Sequence, residues 1–227
     1  QWVSEKRVED LRKLYELPYS NPGPTKIPAG RLQLTFDKKV EFESAELDVS
    51  QAVASVNFRN GPSIRVFIHA VEPVGIIQVE SAEDIKINLV APPFGYKEIS
   101  EPNGELHQCD LASLGYPPPI HSSGENWTAY QQKGWGDFSF AVVVMWEKSN
   151  GDWLAVWSIA TAKQGEDPVE TAKVNCRKAL DSDFGTFFKN HNNWWQNYWS
   201  RSSVSLPNPI LEKQWYLEMY KFGSAAR

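Results

Sequence analysis

The hydrophobic period changes once along this chain, from two to between three and four, and that change limits what it can fold into. From Arg31 apolar residues alternate with polar ones: Leu32, Leu34 and Phe36 are interleaved with Arg31, Gln33 and Thr35. This is the pattern of a strand with one buried face. It returns over residues 45–49 and 52–58. Asn60-Gly61 then separates residues 52–58 from a second run, 64–71. That dipeptide suits the left-handed backbone of a tight hairpin turn. Two β-branched runs follow, 76–79 and 85–90. Residues 31–90 therefore predict six or seven short antiparallel strands, as in a sandwich or barrel.

Strands resume at Trp127. Residues 127–132, 137–147 and 153–162 predict a three-stranded meander, with Ser149-Asn150-Gly151-Asp152 as its last turn. Val142, Val144 and Trp146 alternate with Val143 and Met145, so both faces of that strand are apolar and it belongs in the middle of a sheet. Residues 91–126 hold six prolines and four glycines and predict a long surface loop with room for one short strand.

At Asp167 the period becomes helical. Asp167-Pro168-Val169-Glu170 supplies an N-cap, a proline at the first helical position and a glutamate at the third, for a helix reaching Leu180. A second helix, from about Ser182, carries Phe184, Phe187, Phe188, His191, Trp194, Trp195 and Tyr198 at spacings of three and four, a stripe too wide to be left uncovered. Pro207-Asn208-Pro209 breaks the chain before a third helix over 210–223. Upstream, residues 3–17 predict a short helix ended by Pro18, Pro22, Pro24 and Pro28. The expected organisation is a lead-in segment (1–28), a mainly β domain built as an antiparallel β-sandwich (29–165), helices over 166–206, and a last helix in 207–227.

Composition narrows the function. Lys and Arg number 23 against 28 Asp and Glu, a formal net charge of −5 with no basic run, so general nucleic-acid binding is not expected. No stretch approaches the roughly 20 apolar residues of a membrane helix. Cys109 and Cys176 are too few for a disulfide framework and lie in no metal-ligand spacing. His69, His107 and His121 are scattered and His191 sits within an aromatic stripe, so no metal site and no cofactor are expected. No pair of carboxylates reads as an acid and base, and no G-x-S-x-G, Walker or G-x-G-x-x-G motif is present. The unusual residue is tryptophan: there are ten, and all but Trp2 lie at or after Trp127. Such rings either fill a core or stack on flat ligands. Trp127, Tyr130 and Trp135 are the candidate carbohydrate contacts, Trp135 foremost because it stands between Gly134 and Gly136 in a turn. The competing reading places the same rings in the core.

Two stretches carry a resemblance to a known family. The first runs through Gly30-Arg31-Leu32-Gln33-Leu34-Thr35-Phe36, Ala45-Glu46-Leu47-Asp48-Val49, residues 63–70, and Glu72-Pro73-Val74-Gly75-Ile76-Ile77-Gln78-Val79. It resembles the N-terminal β-sandwich of bacterial glycoside hydrolases related to family 95. The second is His191-Asn192-Asn193-Trp194-Trp195-Gln196-Asn197-Tyr198-Trp199-Ser200-Arg201-Ser202, then Leu206-Pro207 and residues 212–225. It resembles the linker helix and first barrel helix that lead those enzymes into an (α/α)6 catalytic domain. The resemblance implies a sandwich of the supersandwich type and a glycan substrate. It also implies secretion or a periplasmic location, and an inverting mechanism whose two carboxylates belong to the helical barrel. It further implies that 207–227 opens that domain, that the barrel lies beyond this chain, and that Trp194, Trp195, Tyr198, Trp199 and Trp215 form the interface with it. No position here matches a catalytic motif, so no catalytic residue is expected and the chain alone is expected to be inactive. The alternative is a free-standing carbohydrate-binding or assembly domain.

Overall fold

The computed structural model describes residues 4–15, 23–82, 84–92, 94–95, 111–112, 114–162 and 165–225. His107 and Cys109 lie outside the described residues. A short helix, α1 (Val8–Tyr15), precedes six strands: β1 (Arg31–Phe36), β2 (Glu41–Asp48), β3 (Val53–Arg59), β4 (Ser63–Ile68), β5 (Val74–Glu80) and β6 (Ile85–Val90). Four more follow, β7 (Ile120–Gly124), β8 (Trp127–Lys133), β9 (Ser139–Ser149) and β10 (Asp152–Thr161), and then three helices, α2 (Pro168–Leu180), α3 (Phe184–Trp199) and α4 (Pro209–Ala225).

Eight strands form one antiparallel sheet in the order β2-β3-β4-β5-β10-β9-β8-β7. Two hairpin series meet at its centre, where β10 pairs with β5 from Trp153↔Val79 to Ser158↔Val74. The two remaining strands, β1 and β6, pair only with each other, Arg31↔Val90 through Phe36↔Ile85. The fold is thus mainly β, an antiparallel sandwich with helices at its C-terminus, as expected, but its two sheets are very unequal. β7, at the edge, is the short strand allowed for in the 91–126 loop, joined to β8 across Glu125-Asn126.

Alternation sorts the side chains of the large sheet into two cores. On one face Ile64, Ile77, Val79, Val144 and Ala155 are buried beneath the ribbon, which contributes Ile85 and Ile87, with Leu32, Leu34, Phe36 and Leu89 packed alongside. On the other face Val53, Phe67, Ile76, Ala129, Val143 and Val156 meet Ala172, Cys176 and Ala179 of α2 and Phe187 of α3. β9 therefore needs apolar residues on both sides, which is why its sequence does not alternate. Two strands cannot cover eight, and beyond the ribbon Leu47, Ile68 and Ile159 remain exposed on its face.

The helices form where local signals place them. Asp167 caps α2, its carboxylate accepting from the Val169 amide at 2.8 Å. Asp183 caps α3 by accepting from the Thr186 amide at 2.8 Å. Those bonds hold the Asp183 carboxyl below its ordinary value.

Candidate functional site

α3 is tied to the sheet by two buried imidazoles. The Nδ1 of His191 accepts the Ala70 amide at 3.1 Å, and its Nε2 lies 2.7 Å from the Gln51 carbonyl, to which it donates. The Nδ1 of His69 accepts the amides of Val71 and Glu72 at 3.2 and 2.9 Å, while its Nε2 lies 3.1 Å from the Phe187 carbonyl. These partners assign both rings as neutral Nε2–H tautomers. Each imidazole satisfies backbone groups that would otherwise be buried unpaired. His191 is thus a histidine of the helix core, and among the described residues no group of His, Cys, Asp or Glu is arranged to hold a metal.

The turn that His191 grips is itself well fixed. Asp48 closes it by accepting from the amide and hydroxyl of Ser50 at 2.8 and 2.6 Å and from the side-chain amide of Gln51 at 2.7 Å. Partial burial would raise the Asp48 carboxyl, but these donors outweigh it and hold the group below its ordinary value. Ala52 completes the turn in the left-handed region, at φ +53°.

C-terminal to His191 the aromatic stripe of α3 meets α4. Trp195 is fully buried, stacked at 5.5 Å on Tyr220 and edge-on to Tyr198 at 5.5 Å. Gly223 is required at this crossing, because a Cβ there would come within 2.9 Å of the Trp195 ring. The Tyr198 hydroxyl donates to the Met219 carbonyl at 2.7 Å, the Trp199 indole N–H to Val49 at 3.0 Å, and the Tyr216 hydroxyl to Val204 at 3.1 Å. Trp215 packs edge-on against Tyr216 at 4.9 Å. The rings expected to face a further domain are therefore engaged largely within the chain: α4 and the turns at Ala52 and Ala70 cover the stripe.

A cleft of about 770 Å³ opens beside this layer. The β2–β3 turn supplies Ser50 and Gln51, α3 supplies Asn192, Gln196 and Trp199, and α4 supplies Tyr216. Ser200, Ser202 and Ser203 of the α3–α4 connection line its side. None of its described lining residues is charged.

The three candidate carbohydrate contacts do not converge. Trp127 opens β8 and packs on the helix-side core, and the Lys173 ammonium sits 3.7 Å from its ring centroid. That cation occupies the ring face a sugar would use. Tyr130 is wholly buried on the ribbon side, where burial pushes its hydroxyl up to about 12. A ring without accessible surface offers no platform, so Tyr130 is a core residue. Trp135 is 49% exposed in the β8–β9 turn, edge-on to Tyr116 at 6.4 Å. It lies at the opposite end of β8 from Trp127, roughly 20 Å away at strand rise. The lining of the cleft, apart from Trp199, was not singled out by its sequence pattern. The available signal was Tyr216 and Tyr220, one helical turn apart and facing the α3 stripe.

No family model matches the chain, and no curated protein matches it. Among solved structures it is similar to one described as "Putative kojibiose phosphorylase from human microbiome", with 12% identity and a TM-score of 0.58. The match covers 88% of this chain and 28% of that one. At this identity the likeness is one of fold. It supports the sandwich with following helices, and it does not single out family 95.

Proposed function

We propose that this chain is the non-catalytic N-terminal portion of an enzyme that cleaves glycosidic bonds, with the reacting groups in a helical domain that follows α4. One observation carries the reading: nearly the whole chain, sandwich first and helices after, superimposes on just over a quarter of the chain described as a kojibiose phosphorylase. In the inverting form one carboxylic acid of the downstream domain protonates the leaving oxygen while a second carboxylate activates water on the opposite face of the sugar. The description of the similar structure favours a second form, in which phosphate takes the place of water as the nucleophile. Trp135, on a turn and half exposed, is the ring of the sandwich best placed to reach a substrate held at a domain boundary. A secreted or periplasmic location belongs to the same reading.

The test is the product of the native gene. A polypeptide several times 25.8 kDa that releases sugar from disaccharides in water, or sugar phosphate when phosphate is supplied, supports the reading and decides between its two forms. The 227-residue chain alone is expected to be inactive. A native product near 25.8 kDa without such activity would overturn the proposal in favour of a free-standing binding or assembly domain.

A further inference from the structure

We propose that the cleft between the β2–β3 turn and the α3–α4 junction is a binding site for a neutral sugar. Its volume, about 770 Å³, falls in the range of small-molecule sites, roughly 300–1,000 Å³. The chemistry of its wall selects the ligand class. Among the described residues no Lys or Arg lines it to neutralise a phosphate or carboxylate, and no Asp or Glu lines it to hold a cation. Seven of the ten lining residues are serine, asparagine or glutamine, so the wall offers hydrogen-bonding groups alongside its apolar surface, which suits a ligand with both kinds of surface. Donor and acceptor groups of that kind, set beside aromatic rings, match the surface of a pyranose, with its equatorial hydroxyls and its C–H face.

The wall is also prepared for a ligand. Trp199 and Tyr216 spend their polar tips on the backbone carbonyls of Val49 and Val204, so only ring surface is left for contact and both rings are held. Among the described residues no side-chain partner reaches Gln196 or Ser203. The amide oxygen of Asn192 is buried without a hydrogen-bond partner. Such a group is rarely left unsatisfied in a native protein, and a turn of the Asn192 side chain toward the cleft would let a ligand hydroxyl pair it. The turn at Ser50–Gln51 and the rings of Trp199 and Tyr216 are set before any ligand arrives, which limits the ordering cost of binding to side chains such as Gln196 and Ser203.

Titration of the 227-residue chain with glucose, maltose and cellobiose, followed by calorimetry and by tryptophan fluorescence, tests the site. At least one of these sugars is expected to bind and to shift the emission. The double variant Gln196→Leu/Ser203→Val is expected to weaken that binding about tenfold or more, a change of about 1.4 kcal/mol, with an unchanged circular dichroism spectrum. Ser203→Phe, which blocks the cleft from a non-helical position, is expected to do the same and serves if the double variant misfolds. Ile120→Ser, exposed on the edge strand β7 and away from the cleft, is expected to bind as the unaltered chain does. Absence of binding by all three sugars would overturn the proposal. So would wild-type affinity in the blocked variants, or loss of binding in Ile120→Ser alone. The outcome is independent of the enzymatic reading: binding needs no catalysis, and a longer gene product active on disaccharides leaves an empty cleft refuted.

Discussion

Gly75, in β5, faces Trp157 across the strand pair, and a Cβ on it would lie 1.9 Å from the indole ring. Gly75→Ala must therefore move a large ring in a packed layer, and we expect a loss of about 1–3 kcal/mol in chemical denaturation together with a red-shifted tryptophan emission. A second residue-scale consequence comes from groups buried in their protonated form. Burial pushes the Cys176 thiol and the Tyr130 hydroxyl each up to about 12, from ordinary values of 9.0 and 10.0. In the unfolded chain these groups lose their protons first, so rising pH favours unfolding. Their contribution to stability is complete below about pH 9 and is lost progressively as pH climbs toward 12. The denaturation midpoint should hold steady from pH 7 to about 8.5 and then fall. Tyr130→Phe removes a hydroxyl that has no partner. It should be neutral or stabilising by up to about 1 kcal/mol at pH 7 and should flatten the decline above pH 10. The same residue shows why the candidate site was only partly legible in the sequence. The flanking glycines mark Trp135 as a turn residue, but nothing local marks Tyr130 as a core ring. Burial of Tyr130 depends on the ribbon lying over β8, a long-range contact that its own segment does not encode.

At the scale of elements, α3 is held by the histidine clasp as well as by its apolar stripe. His191→Phe preserves ring volume but leaves the Ala70 amide and the Gln51 carbonyl without their partner in a buried setting. The expected loss is about 2–4 kcal/mol, the sum of two unsatisfied backbone groups. His191→Gln, which keeps a donor and an acceptor, should recover part of it. Denaturation of the three proteins in parallel measures both effects. Helix positions were legible because their signals are local: Asp167 and Pro168 mark the start of α2 within their own four residues. Strand positions were legible for the same reason. Strand partners were not, because alternation says which residues face a core and not what lies across it. Nothing in residues 31–36 indicates that β1 leaves its neighbour β2 and crosses to β6. Nothing in β5 indicates that its second partner is β10, at the far end of the sandwich sequence. The sequence leaves room for β7 without placing it, because Ile-His-Ser-Ser-Gly lacks strand character.

At the scale of the whole molecule the structure is three layers, ribbon, sheet and helices, with α4 packed on the C-terminal part of α3 beside the turns at Ala52 and Ala70. Whether α4 belongs to this body or to a domain beyond it is a question of where its apolar surface is buried. Tyr216 and Tyr220 turn toward α3, and Gly223 lets the two helices approach at Trp195. By contrast Ile210, Leu211 and Phe222 point outward, at 76%, 58% and 66% exposure. The inward contacts are the larger and more specific set, because they include a fully buried tryptophan and hydrogen bonds from Tyr198 and Tyr216. A chain shortened to residues 1–206 should therefore lose about 3 kcal/mol or more, the worth of one or two large buried rings. It should also bind a hydrophobic dye that the 227-residue chain does not. Phe222→Ser, by contrast, should change stability by less than about 0.5 kcal/mol. If the shortened chain unfolds at the same denaturant concentration as the full one, the α3–α4 layer contributes nothing to the sandwich. The outward-facing residues of α4 would then define its true partner.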